Sequence, residues 1–440
     1  MGSGKTSWAI EYMRSRPDEK FLYVTPYIKE IIRILSAVRG ARQPTNEHCS
    51  KKDDLKRLLS ENTHIIVCTH ELFIRFDNNI RKSVIDNEYI IIMDEALQAI
   101  SPYQSSRNKK DTSNDNYDPY AIDSDDDNLA FLQEKESVDI DDNDYVSWID
   151  TQADRLGLRN PFFKEIRELA LDHRLVYVEQ KFSVVIYPHE IFRECKQVYI
   201  MTYLFEASIM YYYLKIFEIN FLKKSIRRIN GEYQLVNYFS PDTSEYQNLI
   251  EIIDNSSFNK RIKVKNNYYS STWSKKANQN ASAKQVLIQT RNNFYNLVTN
   301  RWRTNESSGL VLWTCIGKTS KNIMTRKGIN NCFVAVNCRA TNDYCNVCYM
   351  GYFANIYGNV PVKKFIESKG LLFDDNLYAL SEMLQFLWRG CIRRNELLHV
   401  YIPSPRMRTI LCDWLGVKMK NDNVCLVKPK KSLGRSRPKV

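Results

Sequence analysis

Apolar residues in the first hundred positions fall into short unbroken runs that alternate with segments of helical periodicity. KFLYVTPY at 20–27 and HIIVCTHELF at 64–73 predict buried strands, whereas IKEIIRILSAVR at 28–39 and DDLKRLLSENT at 53–63 predict helices. A further strand is predicted where EYIIIMDEALQAI at 88–100 begins, because its apolar run is unbroken. Strands that alternate with helices predict a parallel sheet covered by helices.

The same alternation returns in the second half of the chain. GLVLWTCIGKTSKNIM at 309–324 predicts a strand and a helix, and CFVAVNCRATNDYCNV at 332–347 predicts a strand and a loop. The segment 377–415 predicts a helix, a strand and a second helix. The whole pattern therefore predicts the α/β class, with two domains in series that each contain a parallel sheet.

An acidic segment separates parts of this pattern. Residues 111–150 contain fourteen Asp or Glu and one basic residue, Lys135, which predicts a flexible insertion at 101–150. The other residues hold 62 basic and 37 acidic side chains, so the net charge of +12 conceals an excess of +25 elsewhere. That excess favours a polyanionic partner, although a generally Lys- and Asn-rich surface would give the same balance. We expect a first domain over 1–100 and 151–220, a basic connecting region over 221–308, a second domain over 309–420 and a basic tail over 421–440.

Apolar runs and cysteines limit the class of protein further. No run of eighteen apolar residues and no signal peptide occurs, so we expect a soluble, cytoplasmic protein without a membrane partner. Of the eleven cysteines, those of CNVC at 345–348 have a metal-ligand spacing. A zinc site would need a second pair, and Cys332 and Cys338 lie in a strand-like run, so buried reduced thiols are the favoured interpretation.

The first residues, MGSGKTSWAIEYM, contain the end of a phosphate-binding loop. Gly4, Lys5 and Thr6 match the last positions of Gly-x-x-x-x-Gly-Lys-Ser/Thr, and a helix is predicted to follow. In such a loop the glycines let backbone N–H groups approach phosphate, the lysine contacts the β- and γ-phosphates, and the threonine binds Mg²⁺. Because the first glycine and the preceding strand would fall before Met1, we expect the coding region to start upstream. The candidate ATP-binding residues are Gly2, Ser3, Gly4, Lys5, Thr6 and Ser7.

Two carboxylates end the apolar run that begins at residue 89. Ligands bind at the C-terminal ends of strands in open α/β sheets, so Asp94 and Glu95 are expected to lie beside the phosphate loop. Asp94 would hold Mg²⁺ through water, and Glu95 would orient or activate the attacking water. An acidic helix cap would also explain this pair, but the loop at Lys5 and Thr6 favours an ATP site.

These motifs belong to an ordered set. GSGKT, VTPY, CTHELF, MDEAL, IMTYLFEAS, NCRATNDY and QFLWRGCIRR occur in the order of motifs I, Ia, Ib, II, III, V and VI of superfamily 2 helicases. Over nearly its whole length the chain resembles the DEAD-like members of that superfamily. In THELF, YLFEAS and NCRATN it is similar to helicases encoded by tailed bacteriophages. The resemblance implies two RecA-like P-loop NTPase domains in tandem that bind ATP and Mg²⁺ between them.

The resemblance also implies roles for single residues outside the ATP loop. Thr202 falls at motif III, which in the family couples the nucleotide state to the nucleic-acid site. Residues at the ends of predicted strands and in motif V match positions that contact nucleic acid or face the cleft. The candidate nucleic-acid contacts are Thr25, Pro26, Thr69, His70, Arg339, Thr341 and Asn342.

Motif VI departs from the family pattern. The family has Gln-x-x-Gly-Arg-x-x-Arg, whereas here Trp388 takes the glycine position. Gln385 and Arg389 match, and Arg393 lies one place late. Residues four apart share a helical face, so we expect Arg389 and Arg393 to point together at the γ-phosphate, with Arg394 the next candidate. A basic helix facing solvent would explain the same arginines.

The resulting hypothesis is an ATP-dependent nucleic-acid helicase or translocase, with DNA favoured over RNA and the host bacterial cytoplasm as its location if it is phage-encoded. A DNA-packaging terminase is one alternative, but it would need a carboxylate triad in the second half. Asp343, Asp374 and Asp375 are poorly placed for that triad. A DNA-binding protein with a degenerate ATP site is another alternative, against which the intact Lys5 and Asp94 argue.

Overall fold

The structure is a computed structural model in which the chain folds as two compact units. The first unit is formed by the described residues within 4–239 and 358–377, and the second by those within 240–357 and 378–424. The chain therefore returns to the first unit after it has entered the second. The described residues are 4–103, 127–150, 152, 161–240, 242–253, 265–277, 279–336, 342–417, 419–420 and 423–424.

Strands and helices of the first unit follow the predicted alternation over the first hundred residues. Its strands are β1 (Phe21–Thr25), β2 (Ala41–Arg42), β3 (Ile65–Thr69), β4 (Ile90–Asp94), β5 (Ile100–Pro102), β6 (Val138–Ile140), β7 (Val146–Trp148), β8 (Leu175–Val178), β9 (Phe182–Ile186), β10 (Gln197–Met201), β11 (Lys224–Ile229) and β12 (Glu232–Asn237). Its helices are α1 (Lys5–Arg14), α2 (Ile28–Ala37), α3 (Lys51–Ser60), α4 (His70–Ile74), α5 (Asn78–Asp86), α6 (Asp127–Glu134), α7 (Pro161–Leu171), α8 (Glu190–Glu194) and α9 (Ile209–Ile216).

A five-stranded parallel sheet of order β10-β4-β1-β3-β2 forms the centre of the first unit. Every residue of β1 and β4 is buried, which is why their sequences are unbroken apolar runs. The register pairs Thr25 with Thr69 and Asp94 with Met201. Because all five strands run in one direction, their C-terminal residues lie along a single edge of the sheet.

Helices α1 and α2 cover this sheet with their apolar faces. Trp8 and Met13 of α1 and Ile31 and Ile34 of α2 belong to one buried cluster with side chains of the sheet. Side-chain caps fix the starts of α3, α4, α5 and α9; at α3, Ser50 accepts a hydrogen bond from the Asp53 amide. Spaced apolar residues and capping side chains together account for the alternation that the sequence predicts.

The segment between β4 and β10 contains two small antiparallel sheets. Strands β5, β9 and β8 form one of them, and β6 and β7 form a hairpin. Residues 127–150 of the predicted flexible insertion are regular structure, because Leu129, Leu132 and Trp148 join a buried cluster with Ile166 of α7. Residues 104–126, which include six of the fourteen acidic residues of 111–150, lie outside the described residues.

The second unit is built on a four-stranded parallel sheet of order β13-β16-β15-β14. Its strands are β13 (Ile250–Ile252), β14 (Val311–Cys315), β15 (Tyr349–Phe353), β16 (Leu398–Tyr401), β17 (Met419–Lys420) and β18 (Asn423–Val424). Its helices are α10 (Ser244–Gln247), α11 (Ser271–Lys276), α12 (Ala281–Asn296), α13 (Lys318–Met324) and α16 (Pro405–Leu415). Two helices that precede α16 in the chain differ from these. Helix α14 (Val360–Ser368) belongs to the first unit, and α15 (Asp375–Leu387) begins in the first unit and ends in the second.

Two features of the second unit differ from the sequence prediction. Residues 221–308, predicted as a connecting region, contribute β13 and α12 to the second unit and the hairpin of β11 and β12 to the first. The predicted strand that begins at Cys332 is instead a short 3₁₀ turn followed by one bridge between Phe333 and Trp313. Residues 337–341 of that run lie outside the described residues. The α/β class with two parallel sheets in tandem is nevertheless confirmed by the strand topology.

Helix α14 packs on the antiparallel sheet of the first unit, against β5, β8 and β9. The chain then turns into α15, where the Asp375 carboxylate accepts a hydrogen bond from the Gly358 amide at 2.8 Å and pairs with Lys363. Residues 358–377 are therefore part of the first unit, although they follow more than a hundred residues of the second.

Gly390 lies where the chain after α15 passes close to the residues before β15. A Cβ at this position would lie 2.6 Å from the Val347 carbonyl oxygen and 2.7 Å from Met350 Cε. The backbone φ is −80°, so steric contact rather than backbone conformation requires glycine here. We expect Gly390→Ala to lower the free energy of unfolding by about 1–3 kcal/mol, measured by urea denaturation with tryptophan fluorescence.

Gly309→Ala is the matched control for that substitution. Gly309 has a φ of 68° and no atom within 4 Å of a built Cβ, so its cost should come from backbone strain alone, at about 1 kcal/mol. A Gly390→Ala variant that loses no stability would show that the two backbone segments are not held at this separation.

Candidate nucleotide-binding site

The N-terminus of α1 presents backbone N–H groups beside the predicted phosphate-loop residues. Gly4 is the N-cap of the helix in the left-handed conformation, with φ of 78°, and its carbonyl accepts a hydrogen bond from the Trp8 amide. Lys5, Thr6 and Ser7 form the first turn, where N–H groups have no carbonyl partner within the helix. Such a turn attracts anions. The predicted residues Gly2 and Ser3 lie outside the described residues.

Asp94 and Glu95 lie where β4 ends. Asp94 is 7% exposed and is the last residue of the strand. Glu95 turns away from the strand with a φ of 69°, and its amide donates to the Met201 carbonyl at 3.1 Å. A non-glycine residue with positive φ is uncommon and is concentrated at functional sites. The two carboxylates therefore differ in setting, one buried in the sheet and one on a strained turn.

Two threonines from neighbouring strands bind these carboxylates. Thr25, at the end of β1, donates a hydrogen bond to Asp94, and its oxygen accepts one from the Tyr27 amide at 3.3 Å. Thr202, directly after β10, donates to Glu95 Oε2 at 3.1 Å. The ends of three adjacent parallel strands are thus linked through side chains that lie far apart in the sequence.

Burial is the largest influence on the charge of Asp94. It raises the pKa of Asp94 to about 7, and the neighbouring Glu95 and Glu30 carboxylates act in the same direction. The Lys5 ammonium and the Thr25 hydroxyl oppose this rise. The effect of Lys5 on Asp94 shows that this ammonium and this carboxylate, widely separated in sequence, are close enough to interact electrostatically. A cation beside Asp94 would restore the charged carboxylate at neutral pH.

Three residues near this site were not predicted from the sequence. Tyr23 is fully buried, and burial followed by the Asp94 charge raises its pKa above the ordinary value. Its position two residues before Thr25 places it on the same face of β1, so strand alternation was an available signal. Glu30 of α2 pairs with Arg33 at 3.3 Å. No local pattern identifies Glu30 as a neighbour of Asp94.

The third unpredicted residue, Tyr233, belongs to the hairpin of β11 and β12. A Cβ on Gly4 would lie 2.2 Å from Tyr233 Cε1, so the tyrosine ring is packed directly against the glycine. The Tyr233 amide donates to Glu11 of α1 at 3.0 Å. These contacts join residues more than two hundred positions apart, which no sequence spacing reveals.

Four of the predicted nucleic-acid contacts, Thr25, Pro26, Thr69 and His70, lie at the same edge of the first unit's sheet as the carboxylates. Pro26 follows β1, and His70 follows Thr69 at the start of α4. The Thr69 hydroxyl caps that helix by accepting from the Leu72 amide at 3.1 Å. Thr25 is buried and bound to Asp94, so its hydroxyl serves the carboxylate site. Arg339 and Thr341 lie outside the described residues, and Asn342 is described only as backbone at the start of a 3₁₀ turn.

The motif VI arginines lie in the second unit and do not share a helical face. Helix α15 ends at Leu387, just past the half-buried Gln385, and a 3₁₀ turn begins at Cys391. The prediction that Arg389 and Arg393 project from one helix is therefore wrong, because the chain leaves the helix before Arg389. Their role at a phosphate stays a prediction.

Each of these arginine side chains has partners within the second unit. Arg389 is 1% exposed, lies over the Phe386 ring at 5.3 Å and donates to the Ala335 carbonyl at 3.5 Å. Arg393 donates to the Trp388 carbonyl. Arg394, the third candidate, pairs with Glu396 at 2.6 Å.

Part of the second unit is similar to a known domain family. Residues 244–415 match the YonV C-terminal Rossmann-like domain. The chain is 27% identical over 426 residues to the SPbeta prophage-derived uncharacterized protein YonV of Bacillus subtilis strain 168, covering 94% of this chain and 97% of that protein. The match spans nearly all of both chains, and the relative is a prophage protein.

Two solved structures are also similar to the chain. "XPD_APO" has a TM-score of 0.44 and 13% identity, covering 94% of this chain and 93% of its own. "Structure of S. tokodaii Xpd4" has a TM-score of 0.43 and 13% identity, covering 95% and 92%. Among the residues that the structure describes, no helix combines the length and the apolar character needed to cross a bilayer.

Replacement of Asp94 should make the ligand-free protein more stable at neutral pH. The folded chain holds a proton on Asp94 up to about pH 7, whereas the unfolded chain releases it near the ordinary pKa of 3.8. The contribution of protonated Asp94 to the free energy of unfolding is therefore complete below pH 3.8 and is lost as the pH rises towards 7. We expect the advantage of Asp94→Asn over wild type to grow by on the order of 2–3 kcal/mol between pH 5 and pH 8, measured by urea denaturation.

Asp77→Ala provides a control of opposite sign. Burial opposes ionisation of Asp77, but the Ile80 amide and the lysines Lys56 and Lys52 hold its pKa at about 2. This side chain also caps α5, so its loss should destabilise the protein by about 1 kcal/mol, equally at pH 5 and pH 8. An Asp94→Asn advantage that did not change with pH would contradict the raised pKa.

Proposed function

We propose that this protein is an ATP-dependent helicase or translocase that acts on nucleic acid, with DNA as the favoured substrate. The observation that carries the proposal is that Lys5, at the start of α1, is close enough to lower the pKa of Asp94 at the end of β4, where Glu95 follows. A phosphate-binding helix terminus beside two strand-end carboxylates is an arrangement suited to phosphoryl transfer.

The residues of this site fit a triphosphate and a hard cation. Asp94 is a buried carboxylate with raised pKa, and Thr6 has a hydroxyl in the first turn of α1. Mg²⁺ prefers oxygen ligands such as these two groups. Bound Mg²⁺ would neutralise charge on the phosphate oxygens. The N–H groups of the first turn and the Lys5 ammonium would bind the phosphates.

Glu95 is the residue proposed to position the attacking water. Its backbone is fixed by the hydrogen bond to Met201, and its carboxylate is held by Thr202 at 3.1 Å. One carboxylate oxygen therefore has a fixed direction, which is the requirement for a group that orients water and accepts its proton. Because Thr202 directly follows β10, movement of that segment would change the orientation of Glu95.

The helicase part of the proposal is supported by different observations from the ATPase part. The seven motifs occur in the order of superfamily 2 helicases, and the chain outside 111–150 has a basic excess of +25. Such an excess supports binding to a polyanion. Similarity to a prophage-derived protein supports a phage origin, for which DNA is the favoured substrate.

The terminase alternative has less support from the second unit. Asp374 caps the start of α15 by accepting from the Asn376 and Leu377 amides, and Asp375 binds Gly358 and Lys363. Neither carboxylate joins a group of three metal-ligating side chains among the residues that the structure describes. A two-metal nuclease needs such a group.

ATP turnover with and without single-stranded DNA tests the proposal. The wild-type chain should release phosphate from ATP, faster when DNA is present. Glu95→Gln should lower this rate by about 10²–10⁴-fold while ATP binding is retained, because the substitution removes the group that orients water. Lys5→Ala should lower the rate by at least about 10²-fold and should also weaken ATP binding.

Lys56→Ala is the matched control, since Lys56 lies on the surface helix α3 and pairs with Asp77. It should leave turnover unchanged. A rate of ATP hydrolysis that does not change when DNA is added would support an ATPase that does not translocate on DNA. ATP binding without hydrolysis in the wild type would support a degenerate site. Equal rates for wild type and Glu95→Gln would exclude the role given to Glu95.

A further inference from the structure

Two thiols and a carboxylate meet in the second unit, whereas Lys5, Asp94 and Glu95 belong to the first. The Sγ atoms of Cys348 and Cys391 and a carboxylate oxygen of Glu396 all lie within 4.8 Å of one another. In a tetrahedral zinc site with Zn–S bonds of about 2.3 Å, ligand sulfur atoms are about 3.8 Å apart. The three ligand atoms are therefore within a small adjustment of the separation that one zinc ion requires.

Backbone hydrogen bonds hold these residues together independently of any ion. The Cys391 amide donates to the Val347 carbonyl at 2.9 Å, and the Glu396 amide donates to the Cys391 carbonyl at 3.3 Å. Gly390 permits the first contact, because a Cβ there would collide with Val347. Asn395 has a φ of 58°, which turns the chain so that Glu396 returns towards Cys391. The site is thus organised by the backbone.

A further cysteine and an arginine lie near this group, since Cys345 and Cys348 both act electrostatically on Arg394. Cys345 belongs to the same Cys-x-x-Cys turn as Cys348, and its Sγ lies 3.8 Å from the Asn346 side-chain oxygen. Arg394 binds both Glu396, at 2.6 Å, and that Asn346 oxygen, at 2.7 Å. Ligating carboxylates usually have such outer partners, which orient them. A guanidinium also offsets the negative charge that thiolates bring to a zinc site.

We propose that Cys348, Cys391 and Glu396, joined by Cys345, form a binding site for Zn²⁺ in the second unit. The donor set of thiols with one carboxylate favours zinc over Mg²⁺ or Ca²⁺, which prefer oxygen ligands. A zinc ion whose four coordination positions are all occupied by protein side chains has a structural role. Here it would cross-link the loop before β15 to the turn before β16. The partner proposed for the CNVC pair is thus the segment at 391–396.

Metal content of the full-length protein, purified under reducing conditions without chelator, tests this site. Mass spectrometry of the metals should find one zinc per chain. Cys348→Ser and Cys391→Ser should lose it, and Arg394→Ala should weaken zinc affinity by about 10–100-fold through loss of the outer partner. Cobalt bound in place of zinc should give the visible absorption of tetrahedral, thiolate-ligated Co²⁺, which Cys348→Ser should abolish.

Two cysteine variants serve as controls. Cys412→Ser replaces another buried cysteine of the second unit, and Cys49→Ser replaces an exposed one of the first. Both should keep the zinc and the cobalt spectrum. If Cys391→Ser does not fold, the more exposed Cys348→Ser and Glu396→Gln still decide the outcome. A wild-type protein that binds no zinc at micromolar free metal, or that instead joins Cys348 to Cys391 as a disulfide under these conditions, would overturn the proposal.

Discussion

Parallel pairing of β4 with both β1 and β10 is the constraint on which the nucleotide site depends. The pairing aligns Asp94 with Met201 and Met93 with Val24, so the residues that end each strand arrive at one edge. Reversing any one strand would move its terminal side chain to the opposite edge of the sheet. The cost of this arrangement is a carboxylate buried at the end of an apolar strand, which is a common feature of sites that bind charged ligands.

Local patterns in the sequence were sufficient for the inner strands of the sheet and for the residues at its edge. Strands β1, β3 and β4 are apolar runs that end in a polar residue, which is visible without a structure, whereas β2 is only Ala41–Arg42 and has no such pattern. Contacts between distant segments were not visible, as with Tyr233 against Gly4. The run from Cys332 also shows the limit of composition, because Phe333 makes one bridge to Trp313 where an apolar run predicts a strand.

Gly390 explains why helical periodicity failed beyond Leu387. The glycine allows the chain to leave α15 and to approach Val347, so Arg389 and Arg393 belong to different local structures. Arg389 is buried, and its guanidinium lies over an aromatic ring and near a carbonyl. Burying a charge in this way is tolerated when polar and aromatic groups surround it. Periodicity cannot anticipate a helix end that tertiary contact imposes.

The return of residues 358–377 to the first unit has a consequence for how the chain is made. Helix α14 covers β5, β8 and β9, strands that leave the ribosome long before it does. During synthesis one apolar face of the antiparallel sheet in the first unit is not yet covered by α14. It stays uncovered while most of the intervening 118 residues of the second unit are translated. We expect a nascent chain of this topology to bind chaperones through that exposed apolar surface. A protein cut after residue 239 would lack residues 358–377, so its N-terminal fragment would be an incomplete first unit.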